Sequence, residues 1–387
     1  MSVQATSVQH AAPVQEVSGK GPFIVLAVNP GSTSTKVAVY SDEQCLFEET
    51  TDHPKEAIRQ HPTVMDQFAM RLAAVEEALA RHGHAATRPH AVAGRGGLLA
   101  PMPGGTWRIT EPMLAALREA RHGEHPCNLG APLALHLARK HGCEAYIVDP
   151  PVTDEMDDVA RLTGLPEIRR RSVFHALSQR ISARTAAAQL GISYEAGRFL
   201  VAHMGGGISV AAHRHGRIVD VVNALDGDGP FTPERTGRLP LLPVLDLLER
   251  GLQTFESIRR IILREGGVWA HCGTNDLREV ERRMDAGDAK AAGVFDALVY
   301  AIAKELASLA PALLEPGSTS PAPLVSGIVL TGGMARSKRL TDALSQRLGW
   351  LAPVVVLPEV AEMRALVSGV LRVLRGEEVP RAYRSGL

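Results

Sequence analysis

The sequence predicts an α/β protein made of two similar halves that face one cleft. The main observation is a triplet of short apolar strands separated by tight turns, which occurs twice, near the start and near the middle of the chain. Each triplet is followed by helices that alternate with further strands, so each copy reads as one structural half. Size agrees: 387 residues with 45% hydrophobic side chains suffice for two or three domains, each with its own core.

Residues 1–21 lack the basic and apolar stretches of a secretory leader and read as a flexible N-terminal extension. Its Ser18-Gly19-Lys20 has neither the earlier glycine nor the preceding strand of a P-loop. Phe23 to Val28 is a strand that runs into Asn29-Pro30-Gly31-Ser32-Thr33-Ser34-Thr35. Lys36 to Tyr40 and Cys45 to Thr50 complete the first triplet as antiparallel neighbours. Thr63 to Arg81 sets Val64, Phe68, Leu72, Val75 and Leu79 at helical intervals behind a threonine cap. Thr110-Glu111-Pro112 opens a helix with a capping side chain and an early proline. Asn128 to His141 is helical, and Ala145 to Val148 is a strand ending at Asp149-Pro150.

A helix over Val173 to Leu190 leads into the second triplet: Phe199 to His203, Ile208 to His213 and Arg217 to Asn223. Helices follow at Thr254 to Glu265, Thr274 to Met284 and Ala289 to Leu314, and residues 316–323 form a Pro/Ser/Gly loop. Strand Gly327 to Leu330, turn Thr331-Gly332-Gly333, helix Ser337 to Leu348 and strand Val354 to Leu357 precede a last helix over about Ala361 to Arg375.

Composition narrows the function. Forty-two basic against 42 acidic side chains and only 4% aromatics argue against a general nucleic-acid binder. No apolar run reaches the ~18 residues of a membrane span. Four scattered cysteines without a Cys-x-x-Cys pair form neither a zinc knuckle nor a disulfide framework, and fit a reducing cytoplasm.

Three turns invite chemistry. After Gly31, three hydroxyl side chains and then Lys36 could gather amide, hydroxyl and ammonium donors on an anion. A hairpin that merely needs glycine and polar caps explains this turn equally well. Gly205-Gly206-Gly207 removes three side chains, which points to close backbone approach, with a flexible turn as the plainer reading. Thr331-Gly332-Gly333 sits between strand and helix, where open sheets bind ligands, or is a plain connection. Together the three favour a nucleotide held between the halves.

Arg95 in Gly94-Arg95-Gly96-Gly97 has little to pack against and suits an anion; so does Arg235, just after an acidic Gly-rich stretch that lacks the further ligands of a calcium loop. His125, before a helix start, is either an anion donor or a cap. Asp149 ends a strand, a position where carboxylates hold Mg²⁺. The acidic run Asp154, Glu155, Asp157 and Asp158 suits a helix N-terminus instead.

Asn29-Pro-Gly-Ser-Thr-Ser-Thr-Lys36, Gly94-Arg-Gly-Gly97, Glu124-His-Pro-Cys-Asn-Leu-Gly130 and Val148-Asp-Pro150 resemble the acetokinase family. So do Ser172-Val-Phe-His-Ala176, His203-Met-Gly-Gly-Gly207, Asn223 to Phe231, Gly273-Thr-Asn-Asp276 and Leu330-Thr-Gly-Gly-Met334, in order from about residue 23 to 378. Gly206, where acetate kinases carry asparagine, and a shorter segment around Arg95 resemble the butyrate-type branch.

The resemblance implies a duplicated actin-like ATPase (ribonuclease H-like) fold, two domains around a central nucleotide cleft. One domain would be 22–171 plus 361–387, the other 172–360. It also implies the reaction butanoyl phosphate + ADP = butanoate + ATP with Mg²⁺, or a related acyl kinase for propanoate, acetate or branched acids. A non-catalytic nucleotide-binding member of the fold is the remaining alternative. By resemblance, Asn29, Ser32 and Lys36 form the first phosphate turn, and His203 with Gly205, Gly206 and Gly207 the second. Gly332 and Gly333 would meet adenosine, and His175 the nucleotide phosphates. Arg95 and Arg235 would bracket the carboxylate and the transferring phosphoryl group, His125 would hydrogen-bond that phosphoryl, Asp149 would organise Mg²⁺ or the acyl substrate, and Glu362 would meet the metal. Phe174 is a candidate wall of the acyl pocket. The partners implied are a small carboxylate and a nucleotide. A homodimer or higher homo-oligomer is implied too, with Ala289 to Leu314 as an apolar candidate for its interface.

Overall fold

In the computed structural model, which describes residues 21–223, 225, 227–315, 317, 324–358 and 362–383, the first triplet pairs as its sequence predicts. The expected N-terminal extension and most of the 316–323 loop lie outside the described residues. β1 (Ile24–Pro30), β2 (Ser34–Ser41) and β3 (Gln44–Asp52) form an antiparallel meander. β4 (Ala91–Gly94) lies parallel to β1, and after β5 (Thr106–Arg108) the chain returns as β6 (Glu144–Val148), parallel to β4. The second half repeats this. β7 (Arg198–Met204), β8 (Ile208–Arg214) and β9 (Arg217–Asn223) make the meander. β10 (Gly327–Thr331) and β11 (Val354–Leu357) add in parallel, and β12 (Arg381–Ala382) returns to the first sheet.

Among the described residues the sheet orders are β12-β5-β6-β4-β1-β2-β3 and β11-β10-β7-β8-β9. Without β12 and β5, the first sheet has the order and strand directions of the second. The central strands are apolar along their length because helices cover both faces. On the first sheet, helices Phe68–Arg81 and Gly130–His141 cover one face; on the second, Ala289–Ser308 and Lys338–Leu348 do so.

The opposite faces are covered by exchange. Helix Ala176–Gln189 follows the first sheet in sequence but packs on the second, against β7 and β10. Helix Glu362–Leu374 follows the second sheet but packs on β1, β4 and β6 of the first. These two helices also touch each other, so they form the joint between the lobes.

Several sequence expectations need correction. The helix expected from Val173 begins only at Ala176, and Thr254 to Glu265 divides into α-helix Phe255–Arg260 and a π turn. Thr110 does not cap its helix; its hydroxyl donates to the Tyr383 carbonyl, at 3.5 Å. Within Ala289 to Leu314 the α-helix ends at Ser308; Phe295, Leu298, Ile302 and Leu306 are buried against the second sheet, while Tyr300 is exposed. A further exposed apolar face lies on helix Leu241–Glu249, unread from sequence, where Leu241 is 78% and Leu242 73% exposed.

Candidate active site

The first wall of the cleft is the β1–β2 turn. Register puts Asn29 opposite Lys36, and the Gly31 amide donates to the Ser34 carbonyl at 2.8 Å, closing the turn. Ser32 and Thr33 are exposed at its tip. Asn29 Nδ2 donates to Glu362 Oε2 at 2.7 Å, and Arg95 Nη1 to Glu362 Oε1 at 3.1 Å. Arg95 emerges directly after β4, where a Cβ on Gly130 would stand 2.1 Å from the Arg95 carbonyl oxygen. Glycine there lets the start of helix Gly130–His141 press on this backbone and fix it. Burial alone would raise the Glu362 carboxyl, but Arg95, Asn29 and Lys36 outweigh it and hold Glu362 below the ordinary value, hence ionised. The Lys36 ammonium lies 3.4 Å from Glu48.

His125 makes the capping contact that one of its two readings expects. Its Nδ1 accepts the Cys127 amide at 3.2 Å, so it does cap the turn Pro126–Leu129. Burial first, then Arg95 and Arg71, lowers its affinity for a proton. A neutral ring accepting at Nδ1 carries its proton on Nε2, which remains a donor.

The second wall is the β7–β8 turn. Gly205 donates its amide to the Gly207 carbonyl at 3.0 Å, and Thr232 Oγ1 donates to the Gly206 carbonyl at 2.9 Å. The same hydroxyl accepts the Arg235 amide at 3.0 Å, so one threonine fixes both the turn and the arginine. A Cβ on Gly207 would lie 2.5 Å from Arg235 Nη1, the close approach that glycine permits. Gly206 faces open space.

The rings of His175 and His203 stack at 4.0 Å between centroids, 16° apart. His175 Nδ1 bonds the Ser209 hydroxyl at 2.8 Å, and His203 Nδ1 the Ser178 hydroxyl at 2.9 Å. Burial, then His203, Arg95 and Arg235, keeps His175 well below the usual histidine range. Burial also pushes His203 down to about 4, opposed by Glu362. Both rings are therefore neutral at neutral pH. Arg95 from one lobe and Arg235 from the other thus bear on the same imidazole.

Behind the second turn opens a cavity of about 680 Å³, lined by Gly205, Gly206, Asn275, Asp276, Gly333 and Lys338 among others. Asn275 Nδ2 donates to Glu234 Oε1 at 2.6 Å, and Ser337 Oγ donates to Glu281. These polar linings had no role in the sequence reading; the signal was Gly273-Thr274-Asn275-Asp276, a turn whose last residue caps helix Leu277–Asp285.

Two expected site residues have protein partners of their own. Asp149 is 3% exposed; it accepts the Gly105 amide at 2.7 Å and pairs with Arg180 Nε at 2.9 Å. Arg180 in turn pairs with Glu155 at 2.8 Å and donates to the Gly216 carbonyl at 2.7 Å. Asp149 is thus engaged in a buried ion network that ties the lobes together. Phe174 packs with Met156, Ala211, Ile218 and Val221, a cluster on β8 and β9, so lobe packing uses the expected acyl-pocket wall. Among the described residues no three His, Cys, Asp or Glu side chains gather as a metal cage.

Residues 160–347 match the acetokinase family. The chain is 61% identical to a probable butyrate kinase of Oleidesulfovibrio alaskensis, over 94% of this chain and 99% of that protein. It is 50% identical to a probable butyrate kinase of Maridesulfovibrio salexigens, over 93% of this chain and 99% of that one. Among solved structures, the acetate kinase of Porphyromonas gingivalis superposes with a TM-score of 0.72 at 21% identity, over 91% of this chain and 100% of that chain. That likeness gives the fold, the duplicated actin-like ATPase architecture.

Proposed function

The chain belongs to the acetokinase family, and on that footing we propose that it moves a phosphoryl group between ATP and butanoate, forming butanoyl phosphate and ADP reversibly. The geometry that supports the reading is a guanidinium fixed at each glycine-bearing turn, Arg95 held to Glu362 at 3.1 Å and Arg235 held along Gly207 with its amide on Thr232. Butanoate as the acid rests on the relatives' names. A methylene more or less changes discrimination only ~10–200-fold, so acetate, propanoate and branched acids are the competing substrates.

A carboxylate is ionised at neutral pH and needs no general base to attack the γ-phosphorus. The site's task is to hold two anions in line and to spread the charge that develops on the phosphoryl oxygens. Arg95, Arg235 and the Nε2–H of His125 would supply that stabilisation. Asn29, Ser32, Lys36 and the Gly205–Gly207 turn would hold the phosphates, with the neutral His175–His203 stack beside them. The cavity between Gly205 and Gly333 would take adenosine. Mg²⁺ suits this setting, because it commonly uses one or two carboxylates with phosphate oxygens and water, and Glu362 is ionised at the cleft. When bound, Mg²⁺ would neutralise phosphate charge.

We take 22–171 with 361–387 as one lobe and 172–360 as the other, a division that fits the exchanged helices. Leu241, Leu242, Leu245 and Phe255 form the face through which we expect a homodimer or higher homo-oligomer. No helix among the described residues is long and apolar enough to cross a membrane, and four free thiols fit the cytoplasm.

The test is hydroxylamine trapping of acyl phosphate formed from MgATP with C2 to C5 acids. Butanoyl hydroxamate should form fastest. ATP binding with no hydroxamate from any acid would leave a non-catalytic nucleotide binder.

A further inference from the structure

We propose that Arg71 is the positioning residue of the first phosphate turn and the buried counter-charge of the phosphate that turn holds. The proposal rests on reading Ser32 to Thr35 as a phosphate turn and adds to it a residue that the motifs do not contain.

Arg71, in helix Phe68–Arg81, is 0% exposed. A buried guanidinium ordinarily faces a carboxylate, because an unpaired charge inside a protein is costly. Here its acceptors among the described residues are all neutral. Nε and Nη2 donate to Gln67 Oε1 at 3.0 and 2.9 Å. Nη1 donates to the Ser34 carbonyl at 2.8 Å and to Thr35 Oγ1 at 3.0 Å, and Nη2 reaches the Ser32 carbonyl at 3.5 Å. Thr35 Oγ1 also bonds His53 Nε2 at 2.8 Å, and burial, then Arg71, holds that histidine below its usual range. The Arg71 guanidinium therefore has no carboxylate among its hydrogen-bond partners, and the nearby Asp52 bears on His53 instead.

Two consequences follow for the turn. The first is directional: the carbonyls of Ser32 and Ser34 point back to Arg71, and that of Thr33 accepts the His53 amide at 2.7 Å. With the Ser32 carbonyl drawn inward, the Thr33 amide of the same peptide points away from Arg71; it and the Ser32 amide have no protein acceptor among the described residues and are available to an anion. The second is electrostatic. The guanidinium lies one turn of backbone behind the anion's place, in poorly screened surroundings, where a phosphate supplies the missing negative charge. Arg71 also bears on His125 of the same lobe.

The experiment compares wild type, Arg71→Gln and Arg71→Lys as full chains, with ADP and adenosine as probes in calorimetry or competition. Arg71→Gln should weaken ADP about tenfold or more. It should leave adenosine, which has no phosphate, within about threefold, and Arg71→Lys should keep ADP within about threefold. A purely structural role would weaken both probes by the same factor in both variants, and that result would overturn the proposal; so would unchanged ADP affinity in Arg71→Gln. If Arg71→Gln does not fold, Arg71→Met with Gln67→Leu removes the charge together with its amide partner, and the same outcomes decide. Wild type that bound neither probe would instead overturn the phosphate-turn reading itself.

Discussion

Arg95 and Arg235 reach the cleft by different means, and the difference predicts how each will respond to mutation. Arg95 pairs with Glu362 before any ligand arrives, whereas Arg235 is held through its own amide by Thr232 and lies along Gly207. Arg235→Ala should lower kcat with MgATP and butanoate ~10²–10³-fold, with a smaller change in the KM for ATP. Coupled ADP release measures this, and wild-type turnover would remove Arg235 from the mechanism. Glu362→Gln should raise the Mg²⁺ concentration for half-maximal rate about tenfold, read from a Mg²⁺ titration of the same assay. Arg95 stood out in sequence because Gly-Arg-Gly offers the side chain nothing to pack on, and Arg235 because it follows a Gly-rich acidic stretch. Arg71 and Arg180 were not legible: each sits inside a helix, and its partners outside that helix turn lie 25 to 39 residues away.

The element that organises most of the site is helix Ala176–Gln189, whose buried face is polar. Ser178 meets His203, Gln179 meets Ser209 and His213, Arg180 meets Asp149 and Glu155, and Ser182 donates to Thr331 at 3.1 Å. Removing the charge at Arg180 leaves two carboxylates without their cation at the joint between lobes. Arg180→Met should therefore cost about 3–5 kcal/mol in urea unfolding, and a loss under 1 kcal/mol would contradict the joint's role. His213, wholly buried, bonds Tyr194 Oη at 2.9 Å and Gln179 Oε1 at 3.2 Å, and burial holds it well below the usual histidine range. Below pH ~6.5 the unfolded chain takes up a proton there that the native state refuses, so stability falls as pH falls. Relative to His213→Asn, wild type should lose up to about 1.4 kcal/mol per pH unit between pH 6.5 and 5, and equal pH slopes would exclude this. Long periodic helices and the two strand triplets were readable from the chain. The three-residue β5 and two-residue β12 were not, because so few residues show no alternation and their pairing partners are distant.

At the scale of the whole molecule, two copies of one sheet topology hold each other through exchanged helices, with the donors lining the cleft between them. The duplication was visible because its strand triplets and turns repeat. Apolar length alone cannot separate a core helix from a contact helix, and the second sheet claims one stripe of Ala289–Ser308. The exposed leucines of Leu241–Glu249 carry the prediction here. Leu241→Glu with Leu245→Glu should turn a dimer or larger assembly into monomer by light scattering at micromolar concentration, whereas an unchanged mass would place the contact elsewhere. The central claim, that guanidiniums from both lobes meet the transferring phosphoryl group, is tested most directly by a crystal structure with butanoate and an ATP analogue whose γ-phosphoryl cannot transfer. The account predicts Arg95 and Arg235 both within hydrogen-bonding distance of the γ-phosphate oxygens. Either guanidinium turned to bulk water, with the triphosphate bound away from it, would contradict the account.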